Sequence, residues 1–243
     1  MEQLPSPREH TLTVVTGVIL TLGVFYFIGE LAAAALWQAG PYSFRFDYIS
    51  DLGAVVCRDA AESPARAADA GTGGRAVCSP GNLFMNGAFV LQGVVTAVGG
   101  LLATHLLLPH RAVRWVVTVL LLVSAIGSVM VGIFPGSFGM PPTGLNRLHW
   151  LGAAMAILGG NLGIVVFGIS ALWRGPRIWA VFAIVAGTVG LVALFCFRSP
   201  VERMLGSGLL ERLAVDPIIV WVIATGVMLL VRSRRHARGA RAM

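Results

Sequence analysis

Residues 115–134 read WVVTVLLLVSAIGSVMVGIF, a run of twenty residues with no charged side chain. An α-helix of about 20 apolar residues is long enough to cross the hydrocarbon core of a bilayer. Further stretches of similar hydrophobicity occupy residues 12–37, 81–108, 148–173, 178–197 and 214–231. The repeated pattern predicts an all-α polytopic membrane protein, in which six transmembrane helices form one bundle and a single membrane domain over residues 1–243.

The composition excludes a water-soluble globular protein. Of the 243 residues, 56% are hydrophobic and only 12% are charged, whereas a soluble domain typically has about 25% charged residues. So few charges cannot cover a water-facing surface. The chain is therefore expected to have membrane lipids as its constant partners.

The net charge of +7 comes from eighteen Arg residues, since the chain contains no Lys. Five of them lie in the last twelve residues, which predicts a basic tail over 232–243. A short basic segment after a hydrophobic span is typical of a cytoplasmic anchor. No nucleic-acid-binding motif or aromatic interleaving accompanies the charge, so no nucleic-acid partner is predicted.

The Arg distribution also predicts the orientation of the bundle. An even number of spans places both termini on one side, and that side carries ten Arg residues against eight on the other, which also holds seven acids. The positive-inside rule then predicts cytoplasmic termini in the plasma (inner) membrane. The longest loop, 38–80, is expected to be extracytoplasmic.

Two cysteines, Cys57 and Cys78, lie in that loop. Cysteines in an oxidising compartment commonly form disulfides, so we predict a bond between them, with two free thiols as the alternative.

Nearly all polar residues within the apolar spans fall near one membrane surface, the predicted outer one, and Asn161 is the exception. They are Glu30, Asn86, His149 and Asp216, and each belongs to a different span. Ionisable groups at membrane depth are costly, so such a cluster indicates a functional site by default.

Each of these groups also has a structural interpretation. Glu30 either pairs with an Arg or a hydroxyl for packing, or acts as a proton carrier or a substrate contact. Ser50 and Asp51 either cap a short helix, or Asp51 projects into an outer cavity. Asn86 is expected to hydrogen-bond a neighbouring helix.

His149 is the most chemically versatile residue of the set. With a nearby acid it can act as a general acid or base, although a structural hydrogen bond is an equally open interpretation. A single His without regular ligand spacing gives little support to a metal site, and none is predicted. The sequence also has no Walker loop or dinucleotide fingerprint, so no cofactor is predicted.

Arg residues at the same surface suit an anionic lipid headgroup. A guanidinium group matches phosphate geometry, and Arg147 and Arg212 are the candidates for this contact. Glu211 and Arg212 can instead form ion pairs with the polar groups named above.

Several short motifs, taken in order, give the chain a family resemblance. They are Tyr42 with Ile49-Ser-Asp-Leu-Gly53, Ser79-Pro80 with Asn82, Asn86 and Gly93, Val131-Gly-Ile-Phe-Pro135, His149-x2-Gly152 with Gly160-Asn161, and Glu211-Arg212 with Pro217 and Trp221. With these motifs the chain resembles, over essentially its whole length, the bacterial membrane protein family called domain of unknown function 998. It is more loosely similar to Frag/DRAM/Sfk-like membrane proteins.

The resemblance implies a compact six-helix bundle and carries over no established activity. Gly136 departs from the family pattern, because many members have an acid after the Phe-Pro pair. The resemblance connects the outer polar groups to shared motifs, and so favours one common site over scattered packing groups.

Two functional hypotheses follow, and whether the protein is an enzyme stays open. The first is a lipid-binding or lipid-modifying protein with a site at the outer-leaflet end of the bundle. Its catalytic candidates are Asp51 and His149, and its binding candidates are Glu30, Ser50, Asn86, Arg147, Glu211 and Arg212. The alternative is a non-enzymatic membrane scaffold, sensor or small transporter, in which the same groups hold the helix ends together. The oligomeric state is not predicted.

Overall fold

A computed structural model describes residues 6–38, 40–57, 77–136, 144–173 and 177–241. Within these ranges the chain forms eight α-helices and one short 3-10 helix, Ser50–Gly53. The α-helices are α1 (Pro7–Thr21), α2 (Val24–Ala35), α3 (Asn82–Leu107), α4 (Arg111–Ile133), α5 (Leu145–Ala171), α6 (Arg177–Phe195), α7 (Pro200–Leu205) and α8 (Ser207–Arg241). Residues 58–76 of the predicted loop lie outside the described residues.

Six helical segments are long and apolar enough to span a membrane. They are Pro7–Ala35, which combines α1 and α2, then Asn82–Leu107, Arg111–Ile133, Asn146–Ala171, Arg177–Phe195 and Ser207–Arg235. No β-strand occurs in the described part of the chain. The predicted all-α, six-span architecture is confirmed.

The spans pack in chain order around a ring. Each of α3, α4, α5 and α6 contacts its neighbour in sequence, and α8 closes the ring by packing against both α6 and α1. We call the end that carries residues 40–57, 77–81 and 199–206 the loop end. The opposite end, which carries both termini, is the terminal end.

The first span is broken rather than continuous. Leu22 and Gly23 separate α1 from α2, and the amides of both donate to carbonyls three residues back, as in a 3-10 turn. Glycine has low helix propensity, and tighter i→i+3 bonds commonly mark such breaks. The break redirects α2, which carries Tyr26 and Glu30 on its buried face.

The last span differs most from its predicted bounds. The sequence predicts a start at residue 214, whereas α8 begins at Ser207 and has Pro217 inside it. The predicted basic tail is a continuation of this helix as far as Arg241. The charged pair Glu211-Arg212 suggests a loop in the sequence, but both residues lie on the first turns of α8, where Glu211 accepts from the Ile49 amide and Arg212 pairs with Glu30.

Glycines bring α4 and α5 into close contact. A side chain at Gly127 would collide with the backbone of Gly152 and Ala156, and one at Gly152 would meet Met130 and the Gly127 carbonyl. Small residues at helix interfaces are a general means of close packing inside membranes, where the hydrophobic effect does not drive helices together.

Replacing Gly127 with Ala therefore tests the packing of the ring. The added methyl forces α4 away from α5, and we expect a loss of about 1–3 kcal/mol in unfolding free energy, measured in detergent. Gly87 in α3 is the matched control, because a methyl there meets nothing within 4 Å. Gly87→Ala should be neutral or slightly stabilising, and an equal loss in both variants would contradict the packing.

Candidate functional site

A buried ion pair joins the first and last spans at the loop end. Arg212 of α8 donates from Nε (2.9 Å) and Nη2 (2.6 Å) to the same carboxylate oxygen, Oε1 of Glu30 in α2. The side chains are only 9% and 6% exposed. Unpaired buried charge is very costly, so each group requires the other.

The rest of the Arg212 guanidinium binds the segment that follows α2. Nη2 donates to the Tyr42 hydroxyl (2.6 Å). Nη1 lies within hydrogen-bond distance of three carbonyl oxygens, those of Phe44 (2.8 Å), Asp47 (3.2 Å) and Gly208 (3.0 Å). A guanidinium has five N–H donors, and here all of them face acceptors of the protein. We call Arg212, Glu30, Tyr42 and these carbonyls the Arg212 network.

Aromatic rings enclose the same cation. The guanidinium carbon lies 4.9 Å from the ring centroid of Phe44 and 5.6 Å from that of Tyr42, which is within cation–π range. Burial raises the pKa of Tyr42 well above its usual value of 10.0. The phenol is therefore neutral at physiological pH, accepts from Arg212, and donates to the Tyr48 carbonyl at 3.0 Å.

Most acids at the loop end are anchors for backbone amides. Their carboxylates accept N–H bonds from the segment 43–49 or from the turn before α7: Asp47 from Ser43, Asp51 from Tyr48, Glu202 from Arg198, and Glu211 from Ile49. Glu202 also accepts from the Tyr48 hydroxyl at 3.1 Å. These bonds fix a segment that forms no sheet and only one short helical turn.

The same segment seals the start of α8. The amide of Leu209 donates to the Arg45 carbonyl at 2.9 Å, so an N-terminal helix amide obtains a partner. Glycine is required at 206 and 208, because a side chain at either position would collide with the backbone of Arg45 or Asp47. Gly206 also has φ +91°, a left-handed value that favours glycine.

The 3-10 helix Ser50–Gly53, which follows the segment 43–49, is held by residues at and just before the start of α3. The Ser79 hydroxyl donates to the Leu52 carbonyl (2.7 Å), and Asn86 Nδ2 donates to the Gly53 carbonyl (2.9 Å). A disulfide joins Cys57 and Cys78 just beyond it, which confirms the predicted bond. The polar groups of α3 thus position Ser50 and Asp51.

His149 lies near the first turn of α5, against the end of α4. Its Nδ1 lies 2.9 Å from the Phe134 carbonyl. Helix α4 ends there because Pro135 has no N–H to continue the hydrogen-bond ladder. A neutral imidazole that donates through Nδ1 keeps Nε2 as an acceptor. Gly136 packs directly on the ring and leaves no space for a side chain.

A small chamber lies inside the bundle beneath the 3-10 helix. Its volume is about 60 Å³, and five α-helices together with the 3-10 helix line it. Its polar lining residues are Tyr26, Ser50, Gln92, Thr96, Ser124, Ser128, His149 and Glu211. Val131, Ile157 and Ile219 are among the apolar ones.

Three polar atoms of lining residues have no hydrogen-bond partner in the described part of the chain. They are the hydroxyls of Tyr26 and Ser50 and Oε1 of Gln92, and all three are buried. By contrast, Ser124 and Ser128 donate to backbone carbonyls of neighbouring helices. A buried polar atom without a partner costs about 1–3 kcal/mol. A polar guest in the chamber would give these three atoms the partners that they lack.

The structure divides the predicted site residues into three groups. Ser50, His149 and Glu211 line the chamber. Glu30 and Arg212 form the buried ion pair, and Asp216 lies one helical turn below Arg212. Asp51 and Asn86 hold the 3-10 helix, whereas Arg147 is exposed on the first turn of α5. Of the two predicted catalytic residues, His149 lines the chamber and Asp51 does not.

The sequence prediction of a site omits five polar chamber residues, and two of them, Tyr26 and Gln92, carry orphaned atoms. Each precedes another polar residue by four positions, Tyr26 before Glu30 and Gln92 before Thr96. Residues four apart share one helix face, and Gln92 Nε2 donates to the Thr96 hydroxyl at 3.1 Å. Polar pairs at this spacing within apolar spans are the signal that would have identified them.

The Arg212 network predicts a specific pattern of stability. Arg212→Gln leaves Glu30 buried and unpaired, and we expect a loss of about 3–5 kcal/mol in unfolding free energy. Adding Glu30→Gln to that variant removes the orphaned charge, so the double variant should recover part of the loss. Thermal or steric-trap unfolding in detergent measures both.

Arg203→Gln is the matched control, because Arg203 is an exposed Arg at the same end of the bundle. An exposed substitution of this kind usually changes stability by less than about 0.5 kcal/mol. If Arg203→Gln and Arg212→Gln destabilise equally, or if the double variant shows no recovery, the ion pair does not hold the loop end together.

Comparison with known proteins gives one match. A family profile described as "Protein of unknown function (DUF998)" matches residues 19–228. No curated protein and no solved structure matches the chain. The looser similarity to Frag/DRAM/Sfk-like proteins stays a prediction. The profile match includes all five spans from α3 onward except the end of α8, as well as the loop-end motifs, and the chain therefore belongs to the DUF998 family.

Proposed function

We propose that this membrane protein binds the polar part of an outer-leaflet lipid in the loop-end chamber. The observation that carries the proposal is the set of three orphaned atoms, the Tyr26 and Ser50 hydroxyls and Gln92 Oε1, in a chamber that Glu211 and His149 also line. Together these groups offer hydrogen-bond donors and acceptors to a guest that has both.

The size of the chamber limits what enters. A water needs about 10–15 Å³ of such volume, so 60 Å³ suits a few waters or a polar group of a few heavy atoms. A hydroxyl, ester or amide of a lipid fits this limit, whereas a whole headgroup does not. In this proposal the remainder of the lipid stays outside the bundle.

Lipid modification is the catalytic form of the same proposal. His149 Nε2 is an acceptor and Glu211 is a carboxylate, so the chamber holds two groups capable of proton transfer. Asp51, the other predicted catalytic residue, has a positioning role in this proposal, because its carboxylate holds the turn that carries Ser50. Ser50 and Glu211 then contact the bound group directly.

Of the two features of the loop end, the Arg212 network favours the non-enzymatic alternative and the chamber does not. Every guanidinium donor of Arg212 is satisfied by the protein, as expected of a group that locks helix ends together. Such a lock needs no ligand. The chamber is the feature that a scaffold does not explain, because a scaffold gains nothing from orphaned polar atoms.

We also propose that both termini are cytoplasmic and that the loop end faces outward. The Cys57–Cys78 disulfide favours an oxidising compartment at the loop end. The exposed residues Arg111, Arg232, Arg234 and Arg235 lie at the terminal end, as the positive-inside rule expects of a cytoplasmic surface.

Removing the orphaned atoms tests the chamber. In an occupied chamber, Tyr26→Phe and Gln92→Leu each delete a contact to the guest. We expect the amount of lipid that co-purifies with the protein, measured by native mass spectrometry, to fall at least severalfold, and the melting temperature to fall with it. In an empty chamber the same changes remove an unpaired polar group, so the melting temperature should rise.

Thr225→Val is the matched control, because Thr225 has a buried hydroxyl that lacks a partner in the described residues and lies outside the chamber lining. It should leave co-purifying lipid unchanged. Equal lipid content in wild-type protein, chamber variants and control would contradict lipid binding in the chamber.

Thiol labelling tests the orientation. In intact cells carrying the Cys196→Ser background, a membrane-impermeant maleimide should label Cys57 and Cys78 only after reduction, without permeabilisation. A cysteine introduced by Arg234→Cys, in a background without the disulfide, should react only after permeabilisation. The reverse pattern would place the termini outside.

A further inference from the structure

A long groove runs along the terminal half of the bundle, remote from the loop-end chamber. It has a volume of about 1150 Å³ and lies between the ends of α3 and α5, the start of α6 and one face of α8. Its lining is mostly apolar and includes Leu107, Phe167, Val227 and Met228. The groove shares no lining residue with the chamber.

The groove has the length of one leaflet. On α8 its lining extends from Val220 to Arg235, and fifteen residues of helix cover about 22 Å. Half of a bilayer's hydrocarbon core is about 15 Å thick. The apolar part thus matches the acyl layer of a single leaflet, and the end near Arg235 reaches the headgroup region.

The polar groups of the groove are concentrated at its terminal end and are mainly donors. Arg232 and Arg235 line it there, and Trp179 of α6 lies across from them. No acidic residue occurs among the described lining residues. The positive charge of the two Arg side chains at the mouth is complementary to an anion.

Trp179 supplies a second, independent observation. Its indole Nε1–H is buried and has no hydrogen-bond partner among the described residues. Indole N–H is a donor only, and a buried Trp usually finds an acceptor. An acceptor in the groove beside the two Arg residues would satisfy it.

We propose that this groove is a binding site for one anionic phospholipid of the leaflet at the terminal end. The acyl chains lie along the face of α8 between Val220 and Val231. The phosphate accepts from Arg232 and Arg235, and an oxygen of the headgroup or glycerol ester accepts from the Trp179 indole.

A phospholipid fits the groove better than a protein helix does. The lining provides cations and a donor at one end and only hydrocarbon elsewhere, which is the polarity profile of a lipid. Basic pockets between transmembrane helices on the cytoplasmic side are typical sites for anionic headgroups. The site does not depend on what occupies the loop-end chamber.

Native mass spectrometry of the full chain in neutral detergent tests the site, with dioleoyl phosphatidylglycerol as the probe and dioleoyl phosphatidylcholine as the uncharged comparison. Wild-type protein should bind the phosphatidylglycerol preferentially. Arg232→Gln and Arg235→Gln should each weaken that binding by roughly fivefold, the value expected of one Arg near a lipid surface. Trp179→Phe should weaken it by a smaller factor.

Arg234→Gln is the matched control, since it removes the same charge from an exposed position on the same helix that does not line the groove. It should change binding by less than about twofold, as a surface charge that does not touch the lipid contributes little in neutral detergent. Equal weakening by Arg234→Gln would reduce the effect to general charge attraction and overturn the site. Equal binding of the two lipids by wild-type protein would also overturn the site.

The acyl part of the groove has its own test. Ala224→Phe places a ring among the lining residues and should displace the phosphatidylglycerol while every Arg remains. Val119→Trp, on an exposed face of α4 outside the groove, adds comparable bulk and should leave binding unchanged. Retained binding in Ala224→Phe would contradict the proposed path of the chains.

Discussion

The buried guanidinium of Arg212 is the group on which the loop end depends. It is satisfied by one carboxylate from the opposite end of the sequence, one phenol, and three carbonyls. None of these partners is optional, since a cation at this depth without acceptors is strongly unfavourable. The requirement orders the segment 42–48 and joins the first span to the last at the loop end.

Neighbouring residues of α8 then have different tasks. The guanidinium of Arg212 points into the network, and all of its donors are bound by acceptors of the protein. Glu211, one position earlier, holds the Ile49 amide and faces the chamber. The ion pair positions the 3-10 helix over the chamber, so a structural lock and a binding site share the same few residues. This division explains how one polar surface supports both functional hypotheses.

The sequence was sufficient for the architecture because hydrophobic length is the dominant constraint on a membrane helix. The six spans were predictable for this reason. The Cys57–Cys78 bond was predictable because its loop was expected to lie in an oxidising compartment. The start of α8 was not, because Glu211 and Arg212 suggest a loop until their partners are known. Glu30 is 182 residues from Arg212, and no local pattern links them. The chamber depends on five helices at once, and so Tyr26 and Gln92 were not predicted as site residues.

A high-resolution structure of the protein in lipid nanodiscs would show whether the loop-end chamber holds a polar guest. We expect density in the chamber within hydrogen-bond distance of the Tyr26 hydroxyl and Gln92 Oε1, continuous with a lipid at the edge of the bundle. A collapsed, dry chamber in which these atoms bond to each other or to the protein would contradict this expectation.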